Sequence, residues 1–256
     1  MRIGIVTGAS SGLGREFVRQ IAAKECLDGL WVIARREDRL RQLRGETALP
    51  IRPVCLDLTR SESFPALRKL LEAEKPDVRI LVNAAGFGRM GNYAEISPED
   101  SAGMIDLNCR ALVNMTLTVL PYMSRGSRIL EIASSSAFQP LPGLNVYAAS
   151  KAFVLHYSRA LRWELFGRRI SVTAVCPYWV RDTEFIPLAR KTRNSRAVRH
   201  VPLASRTRLV VWHALLDSRC NLPVSTPGIV CFLQRILVKF IPHEIVMLFW
   251  ECLRRI

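Results

Sequence analysis

The feature that most constrains the fold is a glycine-rich loop, TGASSGLG, which joins two regular patterns. It follows the apolar run Ile3–Thr7, which is typical of a buried strand, and it leads into an amphipathic helical pattern near 13–25. In this context Gly8 allows a tight turn, Gly12 lets the backbone approach a ligand, and Gly14 lets helix and strand pack closely. The free N–H groups at the start of the helix favour an anion. The loop therefore predicts a pyrophosphate site in an α/β fold.

The rest of the chain alternates short apolar runs with longer amphipathic stretches. Further strands are predicted at Leu30–Ala34, Arg52–Leu56, Ile80–Asn83, Arg128–Ala133, Ser171–Cys176 and, as the weakest, Leu222–Ser225. Further helical patterns lie near 37–44, 61–74, 99–123, 147–166 and 206–218. This alternation predicts a doubly wound parallel sheet of the Rossmann type, with about seven strands flanked by helices. A chain of 256 residues suits one such domain, so residues 1–256 are expected to form a single domain.

The charge balance is strongly basic, with 37 Lys and Arg against 22 Asp and Glu and a net charge of +15. Such a balance is typical of proteins that bind nucleic acid, a membrane surface or an anionic ligand. No nucleic-acid module is recognisable, so a nucleic-acid partner is not expected. The chain opens on the strand-like RIGIVTG, which leaves no room for a signal peptide, and no apolar run approaches the ~18 residues of a membrane span. A cytoplasmic location is expected, with membrane association as the alternative.

The cysteines and histidines predict neither a metal site nor a disulfide. The seven cysteines are odd in number and widely spaced, without a CxxC pair, and the four histidines add no ligand spacing. Most of the cysteines lie within apolar runs, which predicts buried free thiols in a reducing compartment. The cysteines are Cys26, Cys55, Cys109, Cys176, Cys220, Cys231 and Cys252.

A tyrosine and a lysine stand four positions apart in the stretch VYAASKAF. On a helix this spacing places Tyr147 and Lys151 on one face. Carbonyl reduction needs a hydride on carbon and a proton on oxygen, and a phenol with a pKa near ~10 is a weak proton donor unless a positive charge lowers its pKa. A neighbouring ammonium group would do so, which makes the pair a candidate for general acid–base catalysis. Ser134 directly follows the predicted strand in RILEIA, at the sheet edge where open α/β sheets bind ligands.

Motifs spread over nearly the whole chain resemble those of the short-chain dehydrogenase/reductase family. They are the TGxxxGxG loop, NAAG at 83–86, MIDLNCRA around Asn108, IASSS at 132–136 and YAASK at 147–151. The resemblance implies an NAD(P)-dependent oxidoreductase that interconverts a carbonyl and an alcohol by hydride transfer. It implies a catalytic set with Tyr147 as acid/base, Lys151 as its tuner and ribose ligand, Ser134 as oxygen ligand and Asn108 as holder of a relay water. Ser135 and Ser136 adjoin Ser134, so a shift of one residue in that assignment stays open.

The end of the second predicted strand, VIARRED, favours NADP(H) over NAD(H). NAD-specific proteins place an acid there to bind the ribose 2′-hydroxyl, whereas this chain has Ala34 followed by Arg35 and Arg36. Guanidinium groups can bind a 2′-phosphate in bidentate fashion. The alternative is that these arginines begin a solvated helix. NADP-binding members of the family often carry Lys or Arg at the position of Ser11, and Arg15 is the candidate that could compensate.

The family pattern changes after the sixth predicted strand, in CPYWVRDTEF. Pro177 matches the proline of the family pattern, and Tyr178 stands where the family has a glycine. Thr183 lies about one position later than the threonine of the family. Val180 can still offer backbone groups to the nicotinamide carboxamide, while Tyr178 and Trp179 are candidates for an aromatic pocket lining. In full, the resemblance implies these cofactor-binding residues: Gly8, Ser10, Ser11, Gly12, Leu13, Gly14, Arg35, Arg36, Asp57, Leu58, Asn83, Ala84, Gly86, Tyr147, Lys151, Pro177 and Val180.

Two segments depart from the alternation of strands and helices. Residues 177–208 are basic and are predicted to be the substrate lid, either as a solvated loop or as the site of an anionic substrate such as a carboxylate or a carrier-bound thioester. Residues 228–256 predict an apolar helical C-terminal extension. Packing against the domain is expected for this extension, which could cover the pocket, form a dimer interface or lie on a membrane as a basic amphipathic anchor.

These patterns together favour an NADP(H)-dependent oxidoreductase acting on an apolar carbonyl or alcohol of lipid-, acyl- or steroid-like character. The expected partners are this small-molecule substrate and further copies of the chain, in a homodimer or homotetramer. The principal alternative is a regulatory protein that senses NADPH without turnover, because a fold alone does not dictate function. The complete Ser-Tyr-Lys set argues against this alternative, since a sensor has no need of those side chains.

Overall fold

A computed structural model describes residues 1–192 and 203–255 of the chain, and in this part seven strands form one sheet. The strands are β1 Arg2–Thr7, β2 Gly29–Ala34, β3 Ile51–Cys55, β4 Asp77–Asn83, β5 Arg128–Ile132, β6 Ser171–Val175 and β7 Val224–Ser225. Their order is β3-β2-β1-β4-β5-β6-β7, and neighbouring strands are parallel. The chain builds the sheet on one side of β1 before it crosses to the other side. The predicted doubly wound, Rossmann-type fold is therefore confirmed.

Helices cover both faces of this sheet. The described α-helices are α1 Gly12–Lys24, α2 Glu37–Gln42, α3 Ser63–Glu74, α4 Pro98–Ile105, α5 Ala111–Val119, α6 Asn145–Glu164, α7 Phe185–Ala189, α8 Thr207–Arg219, α9 Ile229–Leu237 and α10 His243–Arg255. On one face Leu67 of α3, Met115 of α5 and Leu161 of α6 are buried in a common core. On the other face Phe17 of α1 and Val211 of α8 are buried. The two helical layers enclose the sheet and leave its carboxyl edge for ligands.

Burial on both faces explains the continuous apolar character of the strands. In β1 the side chain of Ile5 belongs to the core on one face, and that of Val6 belongs to the core on the other. Successive strand residues point to opposite faces, so a strand covered on both sides carries apolar residues throughout. The strand predicted at Leu222–Ser225 is only two residues long in the structure, where it forms β7. It pairs only with Ala174 and Val175 of β6.

Two regions differ locally from the predicted helical pattern. The long helix predicted near 99–123 is interrupted after α4 by a π-helical segment, Asp106–Arg110, before α5 begins. Such segments are frequent at functional sites, and this one carries Asn108. The stretch predicted as a lid contains α7 and is otherwise described only in part. Three of its arginines, Arg193, Arg196 and Arg199, lie outside the described residues.

The prediction of buried thiols is wrong for most of the cysteines. All seven are free, but only Cys109, Cys176 and Cys231 are buried. The exposed ones lie at the margins of elements or on an outward face: Cys26 after α1, Cys55 at the end of β3, Cys220 after α8 and Cys252 on α10. An apolar run therefore predicts a strand or helix correctly, but a cysteine at the end of that strand or helix is exposed to solvent. Within the described part of the chain, no cluster of His, Cys, Asp or Glu could hold a metal ion.

The glycine loop needs glycine where β1, the loop and α1 approach one another. Gly8 has a φ of +65°, a left-handed conformation that side chains disfavour. A β-carbon placed on Gly14 would lie 2.3 Å from the carbonyl oxygen of Gly8. The first turn of α1 therefore packs directly on the backbone that leaves β1. This contact fixes the position of the helix N-terminus at the carboxyl edge of the sheet.

We expect Gly14→Ala to lower the free energy of unfolding by about 1–3 kcal/mol, because the added methyl group must push α1 away from the loop. Urea-induced unfolding followed by circular dichroism measures the change. Gly167→Ala is the matched control, since a β-carbon on Gly167 meets nothing within 4 Å. Equal stability of the two variants would contradict this account of the loop.

The described chain ends with the tail helices, α9 and α10. They pack on the domain through the buried Cys231 and through Trp250, whose Nε1 donates a hydrogen bond to the Pro142 carbonyl at 2.9 Å. Within residues 1–192 and 203–255 no helix combines the length and the apolar character needed to cross a membrane.

Candidate active site

A cavity of about 1240 Å³ opens at the carboxyl edge of the sheet. Most residues predicted for the site line it: Gly8, Ser10, Ser11, Gly12, Leu13, Gly14, Arg35, Arg36, Asp57, Leu58, Ala84, Gly86, Ser134, Tyr147, Lys151, Pro177 and Val180. Two predicted residues, Asn83 and Asn108, do not line it. The sheet therefore brings residues from the whole length of the chain into one space, as the crevice of an open α/β sheet does.

Tyr147 lies in the first turn of α6 and is nearly buried in the cavity wall. Burial raises the pKa of Tyr147 to about 12, and a hydrogen bond with the Ser134 side chain offsets part of that rise. Ser134 precedes the short 3₁₀ turn Ser135–Phe138, and its Oγ accepts the Ser136 N–H at 3.2 Å. Of the three adjacent serines, it is Ser134 that interacts with the phenol. The phenol is thus held in its protonated form at neutral pH.

Lys151 lies one turn further along α6, with its Nζ 5.8 Å from the centroid of the Tyr147 ring. The ammonium group is buried and donates a hydrogen bond to the Ile132 carbonyl at 2.7 Å. Burial lowers the pKa of Lys151 to about 8. Desolvation of the phenol raises the Tyr147 pKa more than its hydrogen bond with Ser134 lowers it, and Lys151 Nζ donates to the end of β5.

Asn108 lies one layer behind the cavity, in the π-helical segment. Its Oδ1 accepts the Phe87 N–H at 3.0 Å, and its Nδ2 donates to the Phe87 carbonyl at 2.9 Å and to Ser150 Oγ at 3.0 Å. Gly86 separates it from the open space, since a β-carbon there would lie 2.8 Å from Asn108 Oδ1 and 3.5 Å from Lys151 Nζ. Asn108 therefore fixes the loop after β4 beside Lys151.

Asn83 points into the protein interior. Its Nδ2 donates to Thr116 Oγ1 at 2.9 Å and to Glu131 Oε1 at 3.2 Å. Glu131 is fully buried, and burial raises the pKa of its carboxyl group to about 7. Sequence reasoning missed Glu131, although an acid within the apolar strand RILEI signals a buried carboxyl group that needs partners. Asn83 supplies one of these partners instead of facing the cavity.

Arg36 lies over the glycine loop. Its Nη2 donates to Ser11 Oγ at 2.9 Å and to Ser10 Oγ at 3.1 Å, and its Nη1 contacts Glu184 Oε2 at 3.1 Å. Arg39 binds the other oxygen of the same carboxylate at 2.6 Å. Glu184 was not predicted as part of the site, and it links the loop after β6 to the arginines after β2. Arg36 is thereby held close to the amides of the glycine loop.

Arg35 and Arg15 differ from Arg36. The side chain of Arg35 is exposed, with its Nη1 4.0 Å from Asp57 Oδ2 at the cavity margin. Burial acts to raise the pKa of Asp57, but hydrogen bonds from Thr59 together with nearby arginine charges lower it on balance, so Asp57 is a carboxylate. Arg15, the candidate to compensate for Ser11, forms an ion pair with Glu46 and does not line the cavity. The guanidinium group beside Ser11 is that of Arg36.

The segment after β6 closes one side of the cavity. Tyr178 and Trp179 both line it, as the aromatic interpretation of the sequence predicted. Thr183 lines it as well, and a β-carbon on Gly12 would meet Thr183 at 3.5 Å. The Thr183 hydroxyl donates to the Val180 carbonyl at 3.1 Å. The single-position shift seen in the sequence thus leaves Thr183 facing the glycine loop.

An apolar wall completes the cavity. The ring of Phe185 in α7 packs against that of Tyr147 in a tilted arrangement, with 5.4 Å between ring centroids. The tail helices supply much of the remaining surface through Leu233, Leu237, Ile241, Ile245, Phe249, Trp250 and Leu253. A few polar side chains on one side and an aliphatic and aromatic surface on the other are typical of a small-molecule site.

Comparisons with known proteins agree with this geometry. A family model described as short chain dehydrogenase matches residues 2–194. The NADP-dependent 3-hydroxy acid dehydrogenase of Salmonella typhi is 33% identical over 231 residues, which cover 86% of this chain and 92% of that protein. The chain therefore belongs to the short-chain dehydrogenase family and is an oxidoreductase of that family.

Solved structures show the same fold. A short-chain dehydrogenase from Sphingobium yanoikuyae in complex with NADPH has a TM-score of 0.77 at 27% identity, covering 94% of this chain and 96% of that chain. A short chain dehydrogenase/reductase from Burkholderia phymatum in complex with NAD has a TM-score of 0.80 at 23% identity, covering 97% of this chain and 95% of that chain. At that identity the second likeness shows the fold alone.

Proposed function

We propose that this protein is an NADP(H)-dependent oxidoreductase that interconverts an apolar carbonyl compound and its alcohol by hydride transfer. The observation that carries the proposal is the meeting of Ser134, Tyr147 and Lys151 in the same cavity that holds Arg36 and the glycine loop. A proton donor and a phosphate-binding cation thus line one continuous space. The NADP-dependent relative from Salmonella typhi supports the same type of reaction.

The residues of the cavity fit a dinucleotide phosphate. Ser11 precedes α1, its side chain caps no N–H group, and the first turn of α1 contains no acid. The first amides of α1 are therefore open to the pyrophosphate. Arg36 would bind the 2′-phosphate, and Asp57 with Leu58 would lie near the adenine. When bound, the cofactor supplies the hydride for reduction or accepts it in oxidation.

In the proposed reaction Tyr147 gives a proton to the carbonyl oxygen during reduction and removes it during oxidation. Ser134 hydrogen-bonds to the Tyr147 phenol, so its hydroxyl group lies where it could bind the same substrate oxygen. Lys151 supplies positive charge beside the phenol. Asn108 is proposed to act one layer behind, where it holds the loop after β4 and a relay water.

The apolar wall supports an apolar substrate. Tail residues such as Leu237 and Phe249 and the aromatic ring of Phe185 offer a surface with few hydrogen-bond donors. A lipid-, acyl- or steroid-like carbonyl would bury apolar area against it, which favours binding. Residues 177–208 are proposed to be the lid over this substrate, within a single domain that spans residues 1–256.

Assembly and location are part of the proposal. We propose a homodimer or homotetramer that works in the cytoplasm, with peripheral membrane contact through α9 and α10. Light scattering measures the number of copies. Fractionation of cells that express the protein separates soluble from membrane-bound enzyme.

The function is tested by following NADPH and NADH consumption over a panel of apolar and polar ketones and aldehydes. Turnover with NADPH, highest on apolar carbonyls, is the expected result. Binding of NADPH with no turnover on any member of the panel would favour the sensor, and binding of neither cofactor would refute the proposal.

We expect Arg36→Gln to raise the KM for NADPH about 10- to 100-fold, because charge-assisted hydrogen bonds to a phosphate contribute about 1.5–3 kcal/mol. The KM for NADH should stay unchanged, since NADH lacks the 2′-phosphate. Glu184→Gln should lower the KM for NADPH, because it frees Arg36 and Arg39 from a competing carboxylate. Steady-state kinetics with both cofactors measure these effects.

Arg41→Gln is the matched control for the cofactor experiment. Arg41 lies on α2, pairs with Glu37 and does not line the cavity. Its replacement removes the same charge five positions further along the chain and should leave both KM values unchanged. Equal effects of Arg36→Gln on NADPH and NADH would contradict the assigned phosphate contact.

A further inference from the structure

A second cavity, of about 540 Å³, lies outside the active site. It is bounded by the middle of α6, the 3₁₀ turn Ser135–Phe138, β7 and the start of the tail. Its polar lining consists of two guanidinium groups, one ammonium group and two imidazoles, from His156, Arg159, Arg235, Lys239 and His243. The rest of the lining is apolar, and it includes no Asp or Glu. We refer to this space as the basic cavity.

Among the described residues, no acidic side chain lines the basic cavity to balance its charge. None of its five basic side chains forms a salt bridge with any residue in 1–192 or 203–255. Elsewhere, for example, Arg219 and Arg128 share the carboxylate of Glu25. Unpaired cations that converge on one concave space favour an anionic group, and a phosphate can accept several hydrogen bonds at once.

The surface beside the basic cavity is apolar and exposed. Five apolar residues of the tail, on α9, on α10 and in the turn between them, are 40–81% exposed and do not line the active-site cavity: Ile229, Phe232, Ile236, Phe240 and Leu248. We call these residues the outer tail face. Ile229, Phe232 and Ile236 follow helical spacing on one face of α9, and exposed apolar surface of this kind marks an interaction site. Arg235 of α9 and Lys239, which follows that helix, belong to the same segment of the tail and line the basic cavity.

The inner side of the same helices forms the wall of the active-site cavity. Leu233, Leu237 and Ile241 recur at four-residue spacing and line it. The tail therefore presents apolar side chains to the active-site cavity as well as to solvent. Short helices with an apolar face and flanking cations are typical of segments that lie in a membrane interface.

We propose that the outer tail face docks on an anionic phospholipid bilayer, that the basic cavity binds a phosphate-bearing headgroup, and that the apolar substrate enters from the lipid through the tail. The last part rests on the proposed function. An anionic surface neutralises the unpaired cations. A second copy of the chain, docked through a two-fold axis, would bring the same basic cavity to the interface twice.

Vesicle flotation tests the proposal with the full-length protein. The probes are vesicles of phosphatidylcholine alone and of phosphatidylcholine mixed with phosphatidylserine in equal parts. We expect binding to the mixed vesicles only, and a roughly 10- to 30-fold loss of partitioning in the Arg235→Gln/Lys239→Gln variant. The control variant Arg68→Gln/Lys69→Gln removes two exposed cations of α3 and should bind like wild type.

A second variant tests the apolar part. Phe240→Ser/Leu248→Ser replaces two residues that are 81% and 68% exposed, so folding is expected to be unaffected. It should also lose flotation while it keeps its turnover of a water-soluble ketone. Failure of wild type to bind the mixed vesicles would overturn the proposal, as would equal losses in the charge variant and its control.

Two further outcomes separate the alternatives. Dissociation of an oligomer by Phe240→Ser/Leu248→Ser, measured by light scattering, would assign the face to a second copy and overturn membrane docking. Flotation does not require turnover, so a wild type that floats and reduces no carbonyl would refute the proposed function and leave the membrane surface standing.

Discussion

Tyr147→Phe is expected to lower kcat/KM for carbonyl reduction about 10²- to 10⁴-fold, the range that a positioned general acid contributes. The variant removes only the phenolic oxygen, so the contacts of the ring with Phe185 and the fold of α6 should persist. NADPH binding, measured by fluorescence titration, should change little. Stopped-flow measurement of NADPH oxidation in single turnover gives the rate of the chemical step.

Tyr157→Phe is the matched control, because Tyr157 lies on the same helix and does not line the cavity. It makes the same chemical change ten positions further along α6 and should retain wild-type turnover. A Tyr147→Phe variant with activity within about threefold of wild type would show that another group donates the proton, since loss of a general acid costs far more.

The second large effect concerns the charge of Lys151. With a pKa of about 8, Lys151 is cationic below that pH and loses its proton above it, while Tyr147, with a pKa of about 12, stays protonated over the same range. We therefore expect kcat/KM for reduction to fall about tenfold per pH unit above pH 8, as the positive charge beside the phenol disappears. Lys151→Met should lower activity at every pH, roughly 10²- to 10⁴-fold.

Lys151→Arg separates charge from hydrogen bonding. A guanidinium group remains cationic throughout this pH range, so the residual activity of this variant should show no alkaline decline. The measurement is a profile of kcat/KM from pH 6 to 10 for wild type and both variants. A wild-type profile that stays flat through pH 8 would mean that Lys151 keeps its proton in this range or that its charge does not affect kcat/KM.

The fold was predictable because helices cover both faces of the sheet, so the strands carry apolar residues throughout. Ile5 and Val6 lie on opposite faces and are both buried, so an apolar run is enough to mark β1. The glycine loop was predictable for a similar reason, since the approach of Gly14 to the Gly8 carbonyl allows no other residue. Both are local requirements that a single stretch of sequence expresses.

The parts of the site that depend on distant partners were not predictable. Asn83 points into the interior, where it donates a hydrogen bond to Glu131, a residue 48 positions away in the sequence. Arg15 forms an ion pair with Glu46, and Arg36 forms one with Glu184, which lies 148 positions away in the sequence. The pKa of Tyr147 depends on how completely α6, α7 and the tail desolvate it, and spacing on a helix does not reveal burial. Each of these outcomes is decided by tertiary packing.

The tail also bears on how such a protein diversifies. Ser134, Tyr147 and Lys151 lie on β5–α6 of the central fold, whereas the apolar wall opposite them comes largely from α9 and α10. Under the proposed function, the catalytic groups and the shape of the pocket are therefore encoded in separate stretches of the gene. Exchange of the last thirty or so codons would remodel the pocket without moving the acid, so selection can explore new substrates while the reaction itself is kept.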